Sequence, residues 1–505
     1  MDFFKLKKTE KTAFISAIIC GLFAYGFTLT HHFLTLDSMW NQYSDQNMIE
    51  LGRQFLMFAC RISSDYDLPW LNGVLAILYL SINSALLVRL FNVEKQITAF
   101  LIAGFTVCFP TVTSTFAYTY TIDGYMLAEL LATVAVFLCV KYKWGFVPSI
   151  FVLGLSIGIY QAYFSYALVL FLIYFLLLIV AEDTSVKDII NKAIKVIVSV
   201  ACSYVFYVLT LKIMLKLEGE ALTGYQGTTA VTNFSFSVIG EGLKSAFWSF
   251  VNFARWENVL TTTRSMKIAF IGLVLVATVS FIYLFIKNKK YKEWYNFLFV
   301  AIIVAVMPFA ATIVMVISPN TYMHLLIRMP WAVILIFLCL VLEKSTDTVK
   351  PVEYLKAVGV ICAVVMIFEF AVVANIAAFN MNERYEKSYA ICLRIADRLE
   401  QTEGYKTGMP VAILGGYPNE TNYPRTDITK TDLSGYFGVD GDYCVNATGK
   451  YSEFMKHFMG ITIVPATNEE EQAIVESEEF KNMENYPSKD SIKCINGVWV
   501  VRING

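Results

Sequence analysis

Runs of about 20 apolar residues, the length that crosses a hydrocarbon core, recur along the first three-quarters of the chain. They fall near 13–34, 70–90, 97–117, 124–141, 147–160, 162–181, 194–216, 267–286, 294–317, 324–342 and 355–379. The fifth is short: Gly154, Gly158 and the polar Tyr160-Gln161 pair predict a break there. Between the first two runs, Met48, Leu51, Phe55, Phe58 and Ile62 are spaced by 3, 4, 3 and 4, which predicts an amphipathic helix lying in the interface. After Phe379 no stretch is long enough to cross. Asn382 is placed to cap a helix reaching about Thr402, PVAILGG (410–416) reads as a buried strand, and KCINGVWVVRI (493–503) as a hairpin around Asn496-Gly497. YSEFMKHFMG and NEEEQAIVESEEF add two short helices. The pattern predicts a polytopic α-helical membrane protein with about 11 transmembrane helices in residues 1–379, followed by a soluble α/β domain in 380–505.

Composition agrees: of 505 residues 57% are hydrophobic and only 16% charged, and the formal net charge is −1, which gives no reason to expect nucleic acid as a partner. The first apolar stretch is too long for a signal h-region and reads as an uncleaved anchor. With the N-terminus in the cytoplasm, the inner loops hold 18 Lys and Arg residues, Lys5 to Lys356, against 5 in the outer loops: Arg53, Arg61, Lys244, Arg255 and Arg264. The positive-inside rule favours this orientation, and an odd number of spans then places 380–505 outside. That domain holds 13 basic and 19 acidic residues, a net of −6. Four histidines and ten cysteines show no metal-ligand spacing, so no metal or other cofactor is expected, with a divalent cation left open. Among Cys392, Cys444 and Cys494 a Cys444–Cys494 disulfide is one option, and the pairing is left undetermined. Trp40, Trp70, Trp248 and Trp256 suit an interfacial aromatic belt.

On the outer side, charges in so apolar a chain need a reason. Asp37, just past the first span, is placed to take the proton from an acceptor hydroxyl in glycosyl transfer from a lipid-linked sugar. A lipid phosphate as leaving group calls for cations that stay charged beside hydrocarbon; Arg53, Arg255 and Arg328 are the candidates. His324 is expected on one helix face with Arg328, four residues on, about one turn inside a span. Asp123 at the start of a span is either a helix-dipole partner or a group that binds a sugar hydroxyl or Arg53. Tyr160 and Gln161 offer an aromatic face and an amide to a sugar, with packing between spans as the alternative. Asp45 is a candidate for the same contact or a solvated face.

The stretches LDSMW (36–40), LGRQF (51–55), LPWLNGVLAIL (68–78), IDGY (122–125), GIYQAYFS (158–165) and RLEQTEGYKTGMPVAILGGY (398–417) together give the chain a resemblance to the multi-span bacterial glucosyltransferases typified by the type II O-antigen-modifying enzymes. That resemblance implies a GT-C-like fold, a polyprenyl-phosphate sugar as donor, a cell-envelope polysaccharide as acceptor, and chemistry outside the cytoplasmic membrane. It matches Asp37 to the first-loop acid, Arg53 to the arginine of the GR motif, and Tyr160-Gln161 to the YQ pair. Met39-Trp40 after LDS, and Gln54 after GR, depart from the family pattern. A multi-span transporter or flippase of a lipid-linked sugar is the competing expectation, though no internal repeat accompanies it.

Overall fold

The computed structural model describes residues 6–31, 35, 37–182, 184–224, 236–255, 260, 262–318, 321–345, 350–416 and 443–504. The chain divides into two compact units. One comprises Met1–Thr30 and Ser44–Asn375; the other joins His31–Tyr43 to the described residues after Asn375.

The first unit is helical: α1 (Lys8–Thr30), α2 (Leu56–Cys60), α3 (Pro69–Leu90), α4 (Gln96–Cys108), α5 (Pro110–Phe116), α6 (Ile122–Lys141), α7 (Phe146–Ile159), α8 (Ala162–Val180), α9 (Val186–Glu218), α10 (Phe236–Arg255), α11 (Arg264–Lys287), α12 (Trp294–Ala311), α13 (Ile313–Ile317), α14 (Pro330–Lys344) and the first half of α15 (Lys350–Glu400). Among the described residues, eight helices (α1, α3, α6, α8, α9, α11, α12 and α15) are long and apolar enough to cross a membrane. The pair α4–α5, bent by 42°, makes a ninth if it counts as one span. Pro110 accounts for the bend, since it lacks an N–H and clashes with the preceding turn. A count of 11 is reached only by adding α7 and α14, which have 14 and 15 residues.

Close approach and buried polar links hold the first helices together. A Cβ on Gly73 would lie 2.2 Å from Leu29, and one on Gly21 2.9 Å from Ile77, so small residues bring α1 against α3. Arg89 at the end of α3 clasps the buried Glu10 of α1 through two hydrogen bonds, of 2.9 and 2.7 Å. In mid-span, Asn83 of α3 donates to Glu129 of α6 (2.8 Å) and to the Tyr166 hydroxyl of α8 (3.1 Å), while that hydroxyl lies 3.1 Å from Thr133. Among the described residues, Glu129 Oε2 and Asn83 Oδ1 are buried without hydrogen-bond partners.

The second unit is α/β. Its sheet has the order β2-β1-β4-β3, with β1 (Pro410–Gly415) parallel to both β2 (Val464–Pro465) and β4 (Val498–Asn504), and β3 (Ile492–Ile495) antiparallel to β4. The β3–β4 hairpin turns at Asn496 (φ 53°) and Gly497 (φ 84°), the positive-φ pair that the Asn-Gly dipeptide favours. Strand alternation gives the sheet two apolar faces. Val411, Trp499 and Val501 pack with Ile391, Ile395 and Leu399 of α15 and with Tyr451 and Phe454 of α16 (Thr448–Phe454). Ala412, Val498 and Val500 pack with Ile474 of α17 (Asn468–Glu476) and Phe480 of α18 (Glu478–Lys481). Cys444 is buried, Cys494 is exposed, and no disulfide joins them.

Candidate functional site

The segment 46–62 is not the continuous amphipathic helix its spacing predicts. A 3-10 turn at Ile49–Leu51 ends at Gly52, in the left-handed region at φ 73°, and a short α2 follows. Phe58 and Ile62 of the expected apolar face are exposed, whereas Ile49, Gln54 and Leu56 are buried. Gly52 breaks the helix because neighbouring groups take over its backbone. Gln161 Nε2 donates to the carbonyls of Leu51 (2.8 Å) and Gly52 (2.9 Å), and the Tyr207 hydroxyl of α9 donates to Gly52 O at 3.1 Å. Gln54 reaches Tyr207 O and Thr210, and Phe55 N–H bonds Gly158 O at 2.9 Å. A Cβ on Gly52 would sit 2.7 Å from both Gln161 Nε2 and the Tyr207 hydroxyl, so only glycine fits.

This clamp presents Arg53. Its guanidinium carbon stands 4.9 Å from the Tyr160 ring centroid, and one of its nitrogens donates to the Tyr125 hydroxyl at 2.9 Å; the two tyrosine rings stack at 4.2 Å. The GR and YQ motifs therefore meet, with Tyr160-Gln161 at the junction of α7 and α8 as the sequence predicts. Gln161 spends its amide nitrogen on backbone carbonyls, which makes it a positioning residue for Gly52-Arg53. Tyr125 and Tyr207 were not singled out from sequence; only the first, in IDGY, carried a signal.

Asp123 stands in the first turn of α6, buried, with the Ser63 hydroxyl and the Gly124 N–H beside it. Among the described residues no hydrogen bond joins its carboxylate to Arg53, which donates to the Tyr125 hydroxyl instead. Asp67, just before α3, was also missed in the sequence. Burial pushes its carboxyl up to about 6, against the opposing effect of a hydrogen bond from Thr119. Asn72 donates to the Thr119 carbonyl at 3.1 Å, and among the described residues Asp67 Oδ1 and Asn72 Oδ1 are both buried without partners.

Arg328 is not inside a span on one helix face with His324. His324 caps the 3-10 turn Leu325–Ile327 and Arg328 closes it, because Pro330 starts α14 two residues later. Arg328 is buried, bonds Ser249 through its carbonyl (3.1 Å) and hydroxyl (2.8 Å), and lies 4.9 Å from the Phe253 ring, so α10 holds it. His324 packs edge-on against Tyr322 at 4.4 Å, and burial lowers its basicity. Arg255 is exposed at the end of α10. Asp45 is exposed and accepts from Asn47 N–H, which is a turn-stabilising role. Trp40, Trp70 and Trp248 are exposed; Trp256 lies outside the described residues. Between α8, α9 and α12, a wholly apolar cavity of about 590 Å³ is lined by Phe171, Phe175, Val196, Val200, Ile303 and Phe309 among others. Among the described residues, no three His, Cys, Asp or Glu side chains converge as a metal-ligand set.

Asp37 belongs to the second unit. Its carbonyl accepts from Trp40 N–H (3.2 Å) and the Asn41 amide (2.9 Å), and its side chain is exposed.

Comparison with curated proteins and with solved structures gives no significant match. A family model, glucosyl transferase GtrII, matches residues 26–342, more than half of the chain, and that segment contains Asp37, the Gly52-Arg53 turn, Tyr160-Gln161 and Arg328. The chain belongs to the GtrII glucosyl transferase family.

Proposed function

We propose that the protein moves a hexose, glucose or a close relative, from a polyprenyl-phosphate donor to a cell-envelope polysaccharide at the outer face of the cytoplasmic membrane, with inversion at the anomeric carbon. The observation that carries this reading is the buttressed Arg53 turn within a glucosyl transferase family match: a guanidinium on a tyrosine face is a cation that stays charged in apolar surroundings and offers a planar fork to phosphate. Arg53 and Arg328 hold the donor phosphate, His324 and Arg255 assist, and Asp123, Tyr160, Gln161 and Asp45 form or support the sugar and acceptor contacts. The apolar cavity at α8, α9 and α12 suits a polyprenyl chain. Asp37 is the base. The acceptor oxygen bonds the anomeric carbon, the carbon–phosphate oxygen bond breaks, the electron pair leaves with the lipid phosphate, and the acceptor proton goes to Asp37. The bias of 18 inner to 5 outer cations supports an outer site, with the C-terminal unit extracytoplasmic and shaping the acceptor side.

Mass spectrometry of envelope polysaccharide from cells with and without the gene tests the reading, alongside purified protein in liposomes supplied with polyprenyl-phosphate glucose. A polymer heavier by one hexose per modified unit is expected. Translocation of the donor lipid with no glycosidic bond formed would establish the flippase instead.

A further inference from the structure

The loop that carries Asp37 is built into the C-terminal unit, most of which lies beyond the family match at residues 26–342. Met39 is fully buried in that unit's core, among Cys392, Ile395, Tyr451 and Met455. On either side of it, the Thr35 and Ser38 hydroxyls bond each other at 2.8 Å, and Trp40 lies exposed with the Lys450 ammonium 3.2 Å from its ring centroid. Lys450 sits on α16, whose next residue, Tyr451, belongs to the same core. Burial lowers the basicity of Lys450, while Asp37 and Glu453 oppose that effect. The Trp40 N–H in turn bonds the Asp37 carbonyl at 3.2 Å, which ties the ring under Lys450 to the residue that carries the carboxylate.

We infer that Lys450 is a positioning residue for Asp37: stacked on Trp40, whose N–H bonds the Asp37 carbonyl, it holds the turn that presents the carboxylate. This rests on the reading of Asp37 as the base. A cation on an aromatic ring constrains a loop that its own backbone hydrogen bonds leave exposed. Met39 supplies the anchor, Trp40 the platform and Lys450 the link.

Turnover and donor KM of the full-length protein in liposomes test this. Lys450→Met should lower kcat by roughly three- to thirty-fold, the range a partly desolvated cation–π contact and its charge can supply. Donor KM should not change. Lys450→Arg should recover most of the loss, because arginine also stacks on tryptophan. In an Asp37→Asn background Lys450→Met should cost nothing more, since its effect passes through the carboxylate. Should Lys450→Met fail to fold, Trp40→Leu removes the exposed platform and should lower kcat in the same way at an unchanged unfolding temperature. An inactive Asp37→Asn together with full kcat in Lys450→Met or Trp40→Leu overturns this inference alone. Full kcat in Asp37→Asn overturns the base assignment beneath it.

Discussion

Around Arg53, Tyr125, Tyr160, Gln161 and Tyr207 converge on one turn and leave a half-buried guanidinium on an aromatic face. Around Asp37, a buried methionine, the Thr35–Ser38 hydroxyl pair and hydrogen bonds to the Asp37 carbonyl hold a loop whose carboxylate is open to solvent. The first arrangement is pre-organised to bind: its bonds are made before a ligand arrives, so little ordering is left to do on binding. The second is suited to a group that must exchange a proton with an incoming hydroxyl. Damage at the turn should therefore raise donor KM, and damage at the loop should lower kcat.

The largest effect is expected at the loop. Asp37→Asn keeps the shape and removes the base, so turnover in reconstituted membranes should fall by roughly 10²–10⁴, with donor affinity kept. Next comes Gly52→Ala, which puts a Cβ 2.7 Å from Gln161 Nε2 and the Tyr207 hydroxyl at a left-handed φ. Left-handed strain alone is roughly 1–2 kcal/mol, so donor KM should rise about tenfold or more while kcat at saturation stays near wild type. Arg53→Lys keeps the charge but loses the planar fork on Tyr160, and a smaller rise in donor KM is expected. Loss of kcat with unchanged KM in either turn variant would erase the contrast between the two regions.

Asp67→Asn should have the smallest effect on turnover and sharpens the comparison by testing a rival base in the same unit as Arg53. Its signature is in stability. A carboxyl raised from the ordinary 3.8 to about 6 is protonated in the fold over a range where the unfolded chain is ionised. Its contribution is fully present below about pH 4 and is lost as pH rises through about 6. Asp67→Asn should therefore unfold like wild type at pH 4 and at higher temperature at pH 7. At 1.36 kcal/mol per tenfold change in proton affinity, a rise of about two such steps sets an upper bound near 3 kcal/mol. Calorimetry at the two pH values checks this, and a lower kcat in the variant would make Asp67 the better base.

The positions of the helices were legible because apolar length and proline placement are local properties, and so was the Asn496-Gly497 hairpin. The junction at Tyr160-Gln161 was legible too, but its use was not, since the carbonyls that Gln161 bonds belong to residues 51 and 52. The same separation hid the break at Gly52: the 3-4 spacing of Met48 to Ile62 fits a helix, and only Gln161 and Tyr207, more than a hundred residues on, make the left-handed turn worthwhile. Arg328 was misplaced because its apolar neighbours read as span, while Pro330 sets the helix start. Asp67 and Glu129 went unnoticed for a related reason: each is isolated in sequence, and its significance comes from burial. The chain divides after Asn375, and His31–Tyr43 joins the later unit, an association that no local pattern announces.

The link from Asn83 to Glu129 and Tyr166 bears on how the protein is made. Synthesis delivers α3, then α6, then α8, and α6 arrives with an acid in its middle that insertion scales penalise by roughly 2.5–3.5 kcal/mol when charged. Asn83 has already been made when Glu129 follows, whereas the Tyr166 hydroxyl comes only with α8. The polar seam between α3 and α6 is therefore complete only once α8 has been made.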